Sequence, residues 1–247
     1  MIYISYFKSQ FGNNWGDFLN QILIEKISSK TVNWVDFGDP SEKMIAIGSI
    51  LSFSTPFTTV WGSGFLRSSE YLTYIPKSVI AIRGPLSGKI LKEKHNINCD
   101  LYGDPAYLYS EFYNPDYSKK YKLGIIPHYI DLPLFKGTLP DCKVINILDP
   151  INKVIDEVLQ CESIISSSLH GLIIAHMYKI PFRWVEFSKN VVGDGFKFKD
   201  WMESCRFHQD PLQINSLDSK VLDKICDSTF LPDINLDLKR LKESFPY

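Results

Sequence analysis

The sequence lacks most of the patterns that would name a chemistry outright. It contains no C-x-x-C, no H-E-x-x-H, no D-x-D and no G-x-S-x-G. A zinc knuckle, a redox pair, a zincin helix and a hydrolase elbow are therefore not indicated, and neither a metal nor a cofactor is expected. The cysteines, Cys99, Cys142, Cys161, Cys205 and Cys226, are odd in number and far apart. They read as free thiols in a reducing cytoplasm. No charge of one sign dominates: 27 basic side chains stand against 28 acidic ones. The footprint of a nucleic-acid binder is missing. No apolar run approaches the roughly 20 residues of a membrane span. The longest candidate, Leu169 to Met177, is broken by His170 and His176. The strand-like run Ile2–Phe7 opens the sequence without the charged and apolar regions of a signal peptide. A cytoplasmic protein is expected.

Aromatics are plentiful, with 16 Phe, 13 Tyr and 5 Trp. That excludes disorder and suggests flat surfaces that could stack on sugars, core packing being the plainer use. At 247 residues the chain allows one large domain or two small ones. Short β-branched or aromatic runs recur at Ile2–Phe7, Val32–Phe37, Met44–Ile47, Thr58–Trp61 and Val79–Ile82, most of them closed by Gly or Pro. Residues 17–27 carry apolar side chains at helical spacing. The polar stretch 114–120 interrupts this pattern. The alternation then resumes, with strands at Leu123–Ile126, Val144–Ile147, Ser163–Ser167 and Phe182–Phe187. Helices are expected at Ile151–Gln160, at Leu169–Tyr178 and through the remainder of the chain from Lys197. The expected fold is α/β: two Rossmann-like parallel-sheet domains, residues 1–118 and 119–247, facing across a cleft.

Ligands of such sheets bind beyond the carboxyl ends of the strands, so the strand-closing loops carry the functional signal. Asn13-Asn14-Trp15-Gly16-Asp17 precedes a helix whose free N–H groups suit an anion. Trp61-Gly62-Ser63-Gly64-Phe65-Leu66-Arg67 only partly matches a dinucleotide loop, and Arg83-Gly84-Pro85-Leu86-Ser87-Gly88-Lys89 only partly matches a P-loop. Arg83, at a strand end, could grip a phosphate or carboxylate, or form a structural ion pair. Asp104, in Gly103-Asp104-Pro105-Ala106, could position Arg83 or a hydroxyl, or simply make a turn. His128, in Ile126-Pro127-His128-Tyr129, could face the cleft as acid, base or anion ligand. In Ser166-Ser167-Ser168-Leu169-His170-Gly171, serines and helix N–H groups make an anion cradle with His170 at its rim. His176, about 240° further round the helix, belongs to the structure.

Taken in order, Asn14-Trp15-Gly16-Asp17, Gly48-Ser49-Ile50, Trp61-Gly62-Ser63-Gly64, Arg83-Gly84-Pro85-Leu86-Ser87, Gly103-Asp104-Pro105-Ala106, Ile126-Pro127-His128-Tyr129-Ile130-Asp131 and Ser166-Ser167-Ser168-Leu169-His170-Gly171 resemble the polysaccharide pyruvyl transferase family. The resemblance runs from about residue 11 to Trp201. It implies a glycosyltransferase-B-like pair of domains, with the acceptor on the first and the donor anion on the second. It implies a transferase that moves pyruvate from phosphoenolpyruvate onto two hydroxyls of a hexose as a ketal, releasing phosphate, in capsule, exopolysaccharide or cell-surface glycan synthesis. Phosphoenolpyruvate is then a donor substrate, not a cofactor. The implied acceptor is a lipid-linked oligosaccharide or glycan repeat unit, which fits a place at the inner membrane without a transmembrane segment.

By the same resemblance His170 is the acid/base and Arg83 the donor clamp. Asn14, Asp17, Ser63, Gly64, Asp104, His128, Ser167, Ser168, Leu169 and Gly171 would bind substrate. One departure stands out: where some members carry a basic residue directly before the Leu-His pair, this chain has Ser168. Lys189, Lys197, Lys199 or Arg67 are candidate replacements. One alternative is a nucleotide-sugar glycosyltransferase of the same architecture, with Glu186 on the ribose. Another is a non-catalytic carbohydrate-binding protein.

Overall fold

A computed structural model describes residues 1–8, 14–135 and 141–247, with the side chains of 219 and 220 left aside. Asn13 of the first motif lies outside the described residues. The first half runs β1 (Ile2–Ile4), α1 (Trp15–Ser28), β2 (Val32–Trp34), β3 (Lys43–Ile45), β4 (Thr58–Trp61), β5 (Ser78–Ala81) and α2 (Pro85–His95). The second runs β6 (Tyr121–Ile126), β7 (Cys142–Val144), α3 (Ile151–Leu159), β8 (Cys161–Ser166), α4 (Leu169–Met177), β9 (Phe182–Glu186), α5 (Phe196–Ser204), β10 (Leu212–Gln213), α6 (Ser219–Cys226) and α7 (Leu238–Glu243).

The strands form two five-stranded parallel sheets, ordered β2-β1-β3-β4-β5 and β10-β9-β8-β6-β7. Counted within each half, both read 2-1-3-4-5, a doubly wound order whose switch point lies between the first and third strands. The apolar strands Ile164-Ile165 and Ile125-Ile126 are fully buried, as expected of parallel strands covered on both faces. Helix α3 buries Ile151, Val154, Ile155 and Val158, the i, i+3, i+4, i+7 stripe of an amphipathic helix.

One apolar cluster runs through both halves, from Ile4, Leu19 and Trp61 to Ile126, Val154 and Trp201. Trp15 crosses between them: its backbone N–H donates to Ile147 O and its indole Nε1–H to Ile151 O.

The structure departs from the sequence reading in three elements. Strand β7 lies two residues early: Ile145 N–H still donates to Ile125 O, and Ile147 is buried in the turn that leads to α3. Residues 85–95 are a helix: Pro85 takes its first position, where a missing N–H costs nothing. The chain after Lys197 is not helical throughout, since Leu212 and Gln213 add an edge strand to β9. Among the described residues no helix is long and apolar enough to cross a membrane.

Candidate active site

A cavity of about 200 Å³ opens where the two switch points meet. Phe7, Asn14 and Asp17 reach it from beyond β1, and Gly48, Ser49 and Ile50 from beyond β3. The second half supplies His128, Tyr129 and Ile130 from beyond β6, and Ser168, Leu169 and His170 from beyond β8. Val192 and Lys197, after β9, close it.

Asn14 caps α1, its side chain accepting from Gly16 N–H at 3.3 Å. Gly16 is needed for what lies against it. A Cβ there would stand 2.0 Å from Cε1 of the His170 imidazole, well inside any tolerated contact. The glycine of the first motif thus makes room for the histidine of the last. Asp17, in the first turn, faces the cavity.

The serines of the last motif divide the work. Ser166 Oγ donates to Ile126 O at 2.7 Å and accepts from Ser168 N–H at 2.9 Å, tying β6 to the start of α4. Ser167 Oγ donates to Asp131 at 2.9 Å and accepts from His128 N–H at 2.8 Å, so it holds the loop after β6. The hydroxyl of Ser188 donates to the other oxygen of Asp131, whose side chain is fully buried. Ser168 begins α4 without a side-chain cap, leaving its hydroxyl and the first helical N–H groups toward the cavity. His128 Nδ1 accepts from Ile130 N–H at 3.4 Å. That bond favours the tautomer with its proton on Nε2.

The charges here are strongly displaced. Burial pushes the Asp17 carboxyl up to about 7, against the pull of Lys197. Burial, with the Arg83 charge nearby, brings Lys197 down to about 8, against Asp17. The two act through space, with no ion pair within bonding distance. Both histidines are held neutral, near 3: His128 by burial and then Lys197, His170 by burial and then Lys197, Arg83 and His128. His170 Nε2 is buried and has no hydrogen-bond partner. The cavity therefore collects a cation, free helix N–H groups, two neutral imidazoles and a carboxyl that titrates near neutrality. Groups so displaced concentrate at functional sites.

Of the residues singled out in the sequence, Asn14, Asp17, His128, Ser168, Leu169 and His170 line this cavity. Ser167 supports it from behind. The structure does not bring Arg83, Ser63, Gly64, Asp104 or Gly171 to its wall. Arg83 is fully buried. Its Nε and Nη2 meet Asp200 at 3.0 and 2.8 Å, Nη2 also donates to Phe65 O, and Nη1 donates to Ser49 Oγ at 2.6 Å. Ser63 Oγ donates to Gly48 O, Gly64 packs under the guanidinium, and Asp104 Oδ1 accepts from Ala106 N–H to cap a short 3-10 turn. Gly171 leaves space for Ser166 Oγ.

Most of the aromatics beside the motifs are core. Trp15, Trp61 and Tyr107 are at most 1% exposed, and only Tyr129 lines the cavity. His176 is buried, with Nδ1 2.6 Å from Tyr107 Oη and Nε2 3.0 Å from Pro232 O.

Lys197 was one of four cations open from the sequence, and it is the one in the cavity. Lys189 and Lys199 line a neighbouring pocket, and Arg67 pairs with Glu70 at 3.9 Å. What positions Lys197 is Asp200, one turn later on α5, which accepts from Ser87 N–H at 2.8 Å and Ser87 Oγ at 2.7 Å besides holding Arg83. The sequence carried no sign of that role, because the partners stand more than 110 residues apart. Among the described residues no three His, Cys, Asp or Glu side chains gather as a metal site.

Fold and cavity together define a two-sheet α/β protein with a cavity lined by both halves. Residues 51–188 match the polysaccharide pyruvyl transferase family, and the chain belongs to that family. It is 31% identical over 227 residues to uncharacterized protein L143 of Acanthamoeba polyphaga mimivirus, covering 85% of this chain and 76% of that one. It is 27% identical over 216 residues to the succinoglycan biosynthesis protein ExoV of Rhizobium meliloti (strain 1021), covering 81% of this chain and 63% of that one.

Proposed function

We propose that the chain transfers pyruvate from phosphoenolpyruvate to two hydroxyls of a hexose as a ketal, in the biosynthesis of a polysaccharide or cell-surface glycan. The two sheets then form a glycosyltransferase-B-like pair, with the cavity as the reaction site. The observation that carries the reading is one cavity lined together by Asp17, His170, Lys197 and the start of α4. Family membership and the similarity to a succinoglycan biosynthesis protein support it.

The donor carries a phosphate and a carboxylate, which call for a cation and helix N–H groups. Lys197 and the first turn of α4, with Ser168 Oγ, take this part in place of Arg83. Arg83 instead fixes Ser49 and the loop after β4 from below. Asp17, protonated in part near pH 7, gives its proton to the methylene carbon of the enol, making C2 electrophilic. The first sugar hydroxyl attacks C2 and its proton passes to His170. Phosphate leaves with its C2–O bond, taking that proton from His170. The second hydroxyl then closes the ring on C2 and returns a proton to Asp17. Both groups end as they began, as general acid/base residues must.

Phosphate release from phosphoenolpyruvate, measured over a panel of aryl and lipid-linked hexosides, tests the reading. Turnover on at least one acceptor is expected, and His170→Ala is expected to abolish it with the fold intact. No turnover on any acceptor, together with no donor binding by calorimetry, overturns it.

A further inference from the structure

Beside the cavity lies a second pocket, of about 310 Å³, at the carboxyl ends of β8 and β9. The two share Lys197 and Val192, so they adjoin. Its wall includes the loop after β9 and the first turn of α5, and it carries three lysines: Lys189, Lys197 and Lys199. Two carboxylates also line it, and both are engaged elsewhere. Glu186 accepts from the Gln213 amide, while Asp194 accepts from Ser68 N–H at 3.1 Å, from the Ser68 hydroxyl and from Phe196 N–H at 3.2 Å. Lys189 and Lys199 make no ion pair among the described residues.

A second observation is independent of these charges. Trp184, which lines the pocket, is 1% exposed and stacks on Phe198 at 4.4 Å. Its indole Nε1–H has no hydrogen-bond partner. Buried donors are almost always paired, so an orphan at a pocket wall marks a place for an acceptor. Unengaged ammonium groups and an unpaired N–H together suit phosphoryl oxygens. A single phosphate would leave much of the volume and at least one lysine unused.

We propose that this pocket is a diphosphate subsite. It holds the diphosphate ester that joins the acceptor sugar to its carrier, while the sugar hydroxyls reach the adjoining cavity past Lys197. The identity of the sugar acceptor rests on the pyruvyl transfer reading; the diphosphate chemistry rests on the pocket. Lipid and nucleotide carriers share this chemistry.

Calorimetric titration of the full chain with inorganic pyrophosphate, geranyl diphosphate and UDP tests it, alongside a Lys189→Ala/Lys199→Ala double variant. The wild type is expected to bind at least one of these probes. The double variant should bind it ten-fold or more weakly, with unchanged affinity for phosphoenolpyruvate, and Lys189→Arg/Lys199→Arg should restore it. Tighter binding of geranyl diphosphate than of UDP assigns a lipid carrier, and the reverse assigns a nucleotide. No binding of any probe, or equal affinity in the double variant, overturns the subsite whether or not pyruvate is transferred. Binding that depends on Lys189 and Lys199 without any donor binding keeps the subsite and removes the pyruvyl transfer reading.

Discussion

Burial brings Asp17 and Lys197 near neutrality, against the pull each exerts on the other. Two coupled groups titrate as a pair. Turnover is expected to fall as the pH rises through about 7 to 8, where Asp17 loses the proton it donates and Lys197 its charge. Replacing Lys197 with Met should lower turnover and leave a single alkaline limb, moved upward, because the lysine no longer draws the carboxyl down; a pH–kcat/KM profile reads both changes. The same burial has a cost in stability. Folded Asp17 keeps a proton up to about pH 7, whereas an ordinary aspartate titrates at 3.8. Ionising it in the folded state at pH 8 is therefore a penalty, and that penalty disappears as the pH falls through 7 toward 4. Asp17→Asn should lose turnover yet melt higher at pH 8, with the gain gone near pH 4. His128, His170 and His176 act in the opposite sense. They stay neutral when folded down to about 3, 3 and 4, but unfolded histidines protonate from about pH 6.5 downward. Their stabilisation is complete above 6.5 and is lost on acidification. A melting curve against pH should fall below 6.5, and more steeply in Asp17→Asn, which lacks the offset. At this scale His170, His128, Asp17 and Asn14 were legible from residue type and place after a strand. The burial of Arg83 was not, because its partner Asp200 is 117 positions away.

Two elements meet at Gly16 and two more at Asp200. Alanine favours a helix over glycine by about 1 kcal/mol, but at position 16 its methyl would enter the His170 ring. Gly16→Ala is expected to destabilise by about 1–3 kcal/mol, as overpacking does, and to cut turnover by displacing the imidazole. Denaturant melts and kcat measure the two effects. Gly84 has a similar reason: a Cβ there would lie 1.9 Å from Asp200 O, so α5 can settle onto the start of α2 only over a glycine. Asp200→Ala would leave Arg83 buried without its counter-charge, at about 3–5 kcal/mol. It should also raise the donor KM, because the turn that presents Lys197 loses its anchor. A donor KM unchanged in a folded Asp200→Ala would separate Asp200 from the site. Buried parallel strands are readable as apolar runs, which is why eight strands fell near their expected places. Helix α2 was hidden by the glycines and Pro85 at its start, and β10 was too short to carry a pattern.

The whole molecule binds its late sequence to its early sheet. Trp61, on β4, donates through Nε1 to Leu241 O at 3.1 Å and Ser244 Oγ at 3.0 Å, and stacks edge-on with Phe245 at 5.1 Å. Leu241 is fully buried. Removing residues 237–247 should lower the melting temperature and shift Trp emission to the red as Trp61 meets water. An unchanged spectrum would show that α7 contributes little to the first sheet. The shared apolar core and the crossing of Trp15 give the same result from the other side: the halves do not bury their faces separately.

Composition and local pattern alone determined the α/β class, the parallel strands, the loops that carry chemistry and the two candidate histidines in them. These follow from side-chain periodicity and from strand-closing Gly, Pro and Ser, all short-range properties. Tertiary structure decided which cation lines the cavity, that Arg83 is buried away from its wall, and that most motif-flanking aromatics are core. It also decided that the late helices α5 and α7 pack against the early half. Each of those depends on groups distant in sequence meeting away from water, where burial and neighbouring charge set what a side chain can do.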